Sequence, residues 1–217
     1  MAFIHKTTMT PGKLELLTAW LPARPWYTGS PDGPELSKAG GFRLDDPDGE
    51  VGIEFMVVTD VSGGAPVAYH VPVTYRGAPR DGAEAALIGT SEHGVLGRRW
   101  VYDAAHDPVA VGQLLALLQG QAEPQHQSQS DTPDPSVISD FTAGKTAAIT
   151  EVTSIEDTPN GTDIAVQTEP LGALTIRIVR VLRRDQETTP NALGSVTAEW
   201  HSPNGDQNRG PFAVLNP

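Results

Sequence analysis

The chain is 217 residues long, enough for one large domain or two small ones with a real hydrophobic core. Its formal charge of −12 and pI near 4.8 argue against nucleic-acid or anionic-membrane partners, which a negative field repels. It has no cysteine, which excludes disulfides, thiolate catalysis and cysteine-ligated metal centres. The 22 glycines and 19 prolines predict many turns and short strands. Residues 1–10 lack the apolar run of a signal peptide, and no segment approaches the roughly 20 apolar residues of a membrane span. A soluble, cytoplasmic protein with no membrane contact is expected.

Thr10-Pro11 predicts a helix start, a hydroxyl cap followed by proline at the first position, and Leu14, Leu17 and Leu21 then share one face. Pro22 and Pro25 stop that helix within a stretch holding Trp20, Arg24, Trp26 and Tyr27. Residues 30–34 read as a loop. Three strand candidates follow. Residues 39–45 form a weak one, interrupted by Gly40-Gly41; in residues 51–60, Val51, Ile53, Phe55 and Val57 alternate, with Glu54 on the opposite face. Residues 67–75 alternate as well, and Pro72 inside that run predicts a sheet edge or a bulge. Ser62-Gly63-Gly64 joins the last two as a hairpin. After a loop, residues 97–103 read as a fourth strand. Asp107-Pro108 repeats the cap-plus-proline start for a helix with Val111, Leu114, Leu115 and Leu118 on one face, ending at Gly120.

Residues 121–136 turn to Gln, Ser, Pro and Asp and predict an exposed linker. Beyond it the pattern is β: residues 147–155 and 162–167 flank the turn Pro159-Asn160-Gly161, and residues 174–182 and 195–201 add two strands.

Chemistry-bearing motifs are sparse. The six histidines have no metal-ligand spacing, although His93 and His106 sit in loops where contacts are plausible. Ala143-Gly144-Lys145-Thr146 ends like a P-loop but lacks the upstream glycine that aims several N–H groups at one phosphate. The acidic run at residues 45–50 does not meet the oxygen spacing of a calcium loop and reads as a solvated turn. Asn160-Gly161-Thr162 fits a glycosylation acceptor in form, but the turn explains it. The basic residues are more informative: Arg98-Arg99 enters a strand carrying Trp100 and Tyr102, and Arg177, Arg180, Arg183 and Arg184 punctuate the run 174–185. On a strand Arg177 and Arg183 share a face and Arg180 takes the other. Such arginines either offset a negative chain or form a patch for a phosphorylated sugar or an acidic partner.

Four places resemble the N-terminal cap domain of actinobacterial maltokinases: Trp20-Leu21 with Arg24-Pro25-Trp26-Tyr27-Thr28-Gly29; Tyr69-His70-Val71-Pro72-Val73; Ile88-Gly89; and Val101-Tyr102-Asp103-Ala104 followed by Asp107-Pro108 and its helix. One departure lies within the first: Gly29 leads to Ser30-Pro31-Asp32 where the kinases carry a basic residue. The pattern of helix, antiparallel strands and helix predicts an α+β fold, an antiparallel sheet with two packed helices that the resemblance makes cap-like, over residues 1–122, and the change of composition predicts a flexible linker over 123–136. A small, mostly antiparallel β subdomain follows over 137–217, resembling a truncated kinase N-lobe. By that resemblance residues 174–180 look like the strand that bears the ATP-binding lysine, with Arg177 in its place, a poor substitute for a compact ammonium. The H-x-D-x-x-x-x-N catalytic loop and the metal-binding aspartate of the family have no counterpart, so no phosphoryl transfer and no cofactor are expected.

Three readings result. The first is a stand-alone, non-catalytic cap-like protein that binds or regulates a sugar kinase or another enzyme of maltose, trehalose or α-glucan metabolism. The second is a carbohydrate-binding module whose exposed aromatics stack on an α-glucan or small sugar. The third is an α-glucan-acting, branching-type enzyme, for which 217 residues are too short for the usual (β/α)₈ barrel. The candidate partner or sugar contacts are Arg24, Trp26, Tyr27, Arg98, Arg99, Arg177 and Arg180.

Overall fold

In the computed structural model, which describes residues 7–30, 32–184, 186 and 191–217, the alternating runs of the first half form the middle of a large antiparallel sheet. His5 and the stretch 1–6, Pro31 of the 30–34 loop and Asp185 of the arginine-bearing run lie outside the described residues. Strands β3 (Gly52–Asp60) and β4 (Val67–Arg76) pair along their whole length across the turn at residues 62–64, where Gly64 adopts a φ of +88°. Because successive side chains alternate, Ile53, Phe55 and Val57 enter one core while Met56 and Val58 enter another on the opposite face, joined there by Tyr69, Val71 and Val73.

Strand β2 (Leu36–Leu44) lies beside β3 and is longer than residues 39–45 predict. The glycines that weaken the sequence signal are what the strand requires. Gly40 and Gly41 have φ of +148° and +129°, the strand bulges between Lys38 and Gly40, and a Cβ on Gly41 would lie 2.2 Å from the Phe55 carbonyl oxygen. On the other side of β4, β6 (Gly97–Asp103) pairs with residues 73–76. Strand β5 (Leu87–His93), in a region expected to be loop, pairs with β6 and carries the two-residue β1 (Met9–Thr10) at its edge. Pro72 is at neither an edge nor a bulge. The second-half strand β12 (Val181–Leu182) pairs with Ala68 and Tyr69, and β6 pairs from Val73 onward, so Pro72 falls in the gap between two partners, where a missing N–H costs nothing.

The helices are short and lie on opposite faces of a mostly antiparallel β fold, so they do not form a common layer. Helix α1 (Lys13–Trp20) starts later than Thr10-Pro11 predicts: Thr10 belongs to β1, and the cap is Gly12, whose N–H donates to the Glu15 carboxylate at 2.5 Å. It buries Leu16, Leu17 and Trp20 in the second core. Helix α2 (Pro108–Leu118) starts as predicted, the Asp107 carboxylate accepting the Val109 N–H at 3.1 Å, and places Val111, Leu114, Leu115 and Leu118 in the first core.

The stretch expected to be a flexible linker, 123–136, lies against the sheet. Its strand β7 (Gln125–His126) pairs with β2, and Arg43 Nε donates to the His126 carbonyl at 3.2 Å. A backbone ladder needs no apolar side chains, so composition did not signal it. Beyond it come β8 (Ile138–Phe141), β9 (Ala148–Thr158), β10 (Gly161–Glu169), β11 (Gly172–Val179), β13 (Gly194–His201) and β14 (Gln207–Asn216). Strand β14 lies beyond the last strand the sequence predicts; it runs between β13 and β11.

The two halves share one sheet and one core. Trp200 of β13 lies opposite Gly40 of β2, and β12, continuing β11 after Arg180, pairs back onto β4 with Val181 opposite Tyr69. The circuit β4, β3, β2, β13, β14, β11–β12 and back to β4 is therefore closed. It holds Phe42 stacked on Phe55 at 4.6 Å and His70 against Phe212 at 4.5 Å.

Arg180 sits where this circuit closes, 0% exposed. Its Nη2 donates to both Asp103 oxygens at 2.7 and 2.6 Å, its Nε to Thr162 Oγ1 at 2.8 Å, and its guanidinium lies 5.2 Å from the Trp26 ring centroid. Its carbonyl accepts the His70 N–H at 2.9 Å. Removing one member strands the other charge in the interior. Asp103→Ala should cost about 3–5 kcal/mol in urea unfolding, while the double variant Asp103→Leu with Arg180→Met should cost clearly less than either single change.

His70 is buried beside that pair, its Nδ1 at 2.9 Å from the Val179 carbonyl. Burial, with the neighbouring Arg180 charge, lowers its pKa from 6.5 to about 3 against the opposing pull of that carbonyl. The folded value lies below the unfolded one, so its contribution to stability is full above pH 6.5 and falls as the unfolded chain takes up a proton. Between pH 6.5 and 5, stability should drop by roughly 1.5 kcal/mol. His70→Leu should flatten that slope in denaturant titrations across the same pH window.

Candidate functional site

A cleft of about 820 Å³ lies between the start of α1, the β2–β3 turn and the β5–β6 hairpin. Its floor is Glu54, which alternation had placed on the face opposite Ile53 and Phe55 and which is only 4% exposed. Lys13 Nζ and Tyr75 Oη each donate to Glu54 Oε2 at 2.5 Å, and Gln127 Nε2 donates to Oε1 at 2.9 Å. Burial alone would raise the Glu54 pKa; the Lys13 charge, then the hydrogen bonds from Lys13, Tyr75 and Gln127, outweigh it and hold the carboxylate below its ordinary value. The same contact pushes Tyr75 well above 10, chiefly by burial and then by the Glu54 charge. At neutral pH the floor is thus a carboxylate paired with an ammonium, beside a neutral phenol.

One wall is the acidic run 45–50, which the sequence reads as a solvated turn. Asp46 is buried and spends its carboxylate on backbone, accepting from the N–H groups of Asp48, Glu50 and Val51 at 3.1, 2.9 and 2.9 Å. Among the described residues no three His, Asp or Glu side chains gather as a metal set. The P-loop-like residues 143–146 form a bend between β8 and β9, so a strand follows where phosphate cradling needs a helix N-terminus.

Of the predicted contact residues only Arg99 reaches the cleft, its Nη2 held by the Leu96 carbonyl at 2.6 Å. Arg98 is exposed and pairs with Glu92 at 2.7 Å across the hairpin, a contact worth little in water. Trp26 is 0% exposed, 5.8 Å from Trp20 and 5.9 Å from Tyr69, and belongs to the second core. Tyr27 is half-buried and donates to Asp60 at 3.0 Å. Arg24 lies over the Trp20 ring at 4.6 Å and is half-buried. An exposed aromatic platform for sugar is therefore not formed by Trp20 and Trp26. Arg177 is bidentate to Asp163 on the neighbouring strand, both contacts at 2.6 Å, and Arg180 is the buried staple. The predicted contacts thus fall into separate places.

The residues that sequence reasoning missed are Lys13, Glu54, Tyr75 and Gln127. They are far apart in the chain, and only pairing of β3 with β4 and laying 125–127 along β2 brings them together. The one available signal is a carboxylate, Glu54, inside the apolar run from Ile53 to Val58. Lys13→Met should leave Glu54 buried without its cation. Its pKa should rise above the ordinary 4.5 in a carboxyl NMR titration, with a loss of about 1–3 kcal/mol of stability, discounted because Lys13 is partly exposed.

Among the described residues no helix is long and apolar enough to cross a membrane. Residues 20–107 match the family model of the maltokinase N-terminal cap domain. The matched segment runs from the end of α1 to the capping residue of α2, includes β2 to β6, and is less than half of the chain. A search of curated proteins returns no match to the chain.

Proposed function

We propose that the chain is a non-catalytic, cap-like protein that acts by binding a protein partner, a sugar kinase or another enzyme of maltose, trehalose or α-glucan metabolism. The observation that carries this reading is the cap-domain match over residues 20–107. Two structural facts support it. The second half completes the cap's own sheet and core, through β12 on β4 and β13 on β2. And Arg177, at the position that resembles the nucleotide-binding lysine, is committed to Asp163. Of the tryptophans that a stacking carbohydrate module would expose, Trp20 and Trp26 are in the core and Trp100 is half-buried, which favours protein contact over glucan adhesion.

The test mixes the purified chain with a purified maltose-phosphorylating kinase, or a purified α-glucan-modifying enzyme, in sedimentation velocity. A complex with a dissociation constant of about 10 µM or tighter, and a changed KM or kcat of the partner enzyme, is expected. Phosphorylation of maltose by the chain alone with ATP, or new branch points in amylose incubated with it, would overturn the reading.

A further inference from the structure

The strand path ends on β9, which among the described residues pairs with β10 alone. At 11 residues it is the longest strand described, and its second edge presents a row of backbone N–H and C=O groups with no ladder partner. Ile149, Val152 and Ile155 pack on the first core and hold the strand in place, while no residue of it is buried. Two register shifts interrupt its pairing with β10. Thr150 and Thr153 are the extra residues there, their hydroxyls donating to the Gln167 and Ala165 carbonyls at 3.2 Å. Residues 154–158 are left as an uninterrupted stretch, paired one for one with residues 161–165.

The charges along that stretch are not balanced. One cross-strand row runs from Arg177 on β11 through Asp163 on β10 to Glu156 on β9. Arg177 is bidentate to Asp163, so its charge is spent there, and Glu156 stands directly opposite a carboxylate. Like charges so placed repel. Glu156 is exposed, and among the described residues its side chain makes no hydrogen bond or ion pair. Asp157, its neighbour, is tied to β10 instead, accepting from Thr162 Oγ1 at 2.6 Å. Residues 148–158 contain no lysine or arginine.

We propose that the β9 edge over residues 154–158 takes up an extended segment of a partner protein as an added strand, with a lysine or arginine of that segment beside Glu156. The added cation makes the row alternate: Arg177, Asp163, Glu156, then the partner's basic side chain. Without it the row ends on two adjacent carboxylates. Backbone hydrogen bonds supply the affinity, and the charge row fixes register and selects basic segments over others. A second copy of this chain suits the edge poorly, because β9 against β9 sets carboxylates against carboxylates and brings no cation. This inference rests on the partner reading in taking a protein as the ligand; it adds where that protein docks and what charge it brings.

The experiment is a ¹⁵N NMR titration of the full chain with three capped heptapeptides: alternating Lys and Val, alternating Glu and Val, and the first with proline at its centre. Only the first should give saturable shifts and slowed hydrogen exchange at the amides of residues 154–158, with a dissociation constant of about 0.1–1 mM. Glu156→Gln, whose far-UV spectrum should match the parent because the side chain is exposed, should weaken that peptide about threefold or more. The proposal fails if the Lys peptide gives no saturable shift at these amides or shifts a different surface. It fails equally if the Glu peptide binds there as well, or if the proline peptide does, since the contact would then need no charge row or no ladder. Unchanged binding by Glu156→Gln overturns it too, as does a dimer of the free chain with those amides protected, which assigns the edge to a second copy. In sedimentation, a kinase or glucan-enzyme complex indifferent to Glu156→Gln sinks this surface and leaves the partner reading standing. Peptide binding as expected with no enzyme complex does the reverse.

Discussion

The contact between Arg180 and Asp103 is the constraint on which the arrangement of the two halves depends. Two ionised groups taken out of water each cost several kcal/mol unless they meet each other and their remaining hydrogen-bonding capacity is filled. Here Arg180 Nη2 meets both oxygens of Asp103 from the end of β6, Nε meets Thr162 from β10 and the guanidinium lies against the face of Trp26 from the loop after α1, while Nη1 is buried with no hydrogen-bond partner among the described residues. Those three partners come from different elements, and all must be in place for the charge to be tolerable. The two pairing links that close the strand circuit are short, two residues at β12 and one at Trp200. Ladder hydrogen bonds over so few residues specify register weakly; a buried charge pair specifies it strongly. A shift of β12 by one residue would turn Arg180 to the opposite face, away from Asp103.

That pair also explains why the chain does not divide at residue 122. Asp103 and Trp26 lie within the segment that matches the cap domain, and Arg180 lies outside it. The matched segment therefore contains a buried carboxylate whose cation is supplied by the second half of the chain. The first core tells the same story in apolar terms, since Phe42 and Phe55 from one half pack with Phe212, Trp200 and Ile176 from the other. Polar and apolar constraints agree, the sign of one cooperative unit.

How much of this was legible in the residues depended on the range of the interaction. Alternation in residues 51–60 and 67–75, and the Asp107-Pro108 cap, are local signals, and the corresponding strands and helix are present. So is the hairpin over Asn160-Gly161, where Gly161 pairs with both β9 and β11. Signals failed where a distant partner decides the outcome. Gly40 and Gly41 look like strand breakers until Phe55 and Trp200 approach their backbone. Pro72 looks like an edge marker until two different strands stop on either side of it. The polar run at 123–136 looks like a linker because hydrogen bonding to β2 leaves no trace in hydropathy. Of the seven candidate contacts, burial places two, Trp26 and Arg180, in the interior, because neither motif nor strand face shows what packs against them from the other half. The cleft was illegible because its floor joins residues 41 and 73 positions apart in the chain.

The distribution of charge links these observations to recognition. Lys13, Arg76, Arg98, Arg177, Arg180, Arg184 and Arg209 are each engaged in an ion pair with a carboxylate of the same chain. With 15 basic and 27 acidic side chains in all, pairing one for one leaves an excess of carboxylates and a net charge of −12. Such a field acts over about one Debye length, roughly 8 Å at physiological salt, and disfavours anionic ligands before they reach any local cation. A neutral ligand is indifferent to that field, and a basic protein surface is drawn by it. The negative exterior thus bears on which macromolecules approach, while the cleft beside the start of α1 brings side chains of both signs together within it.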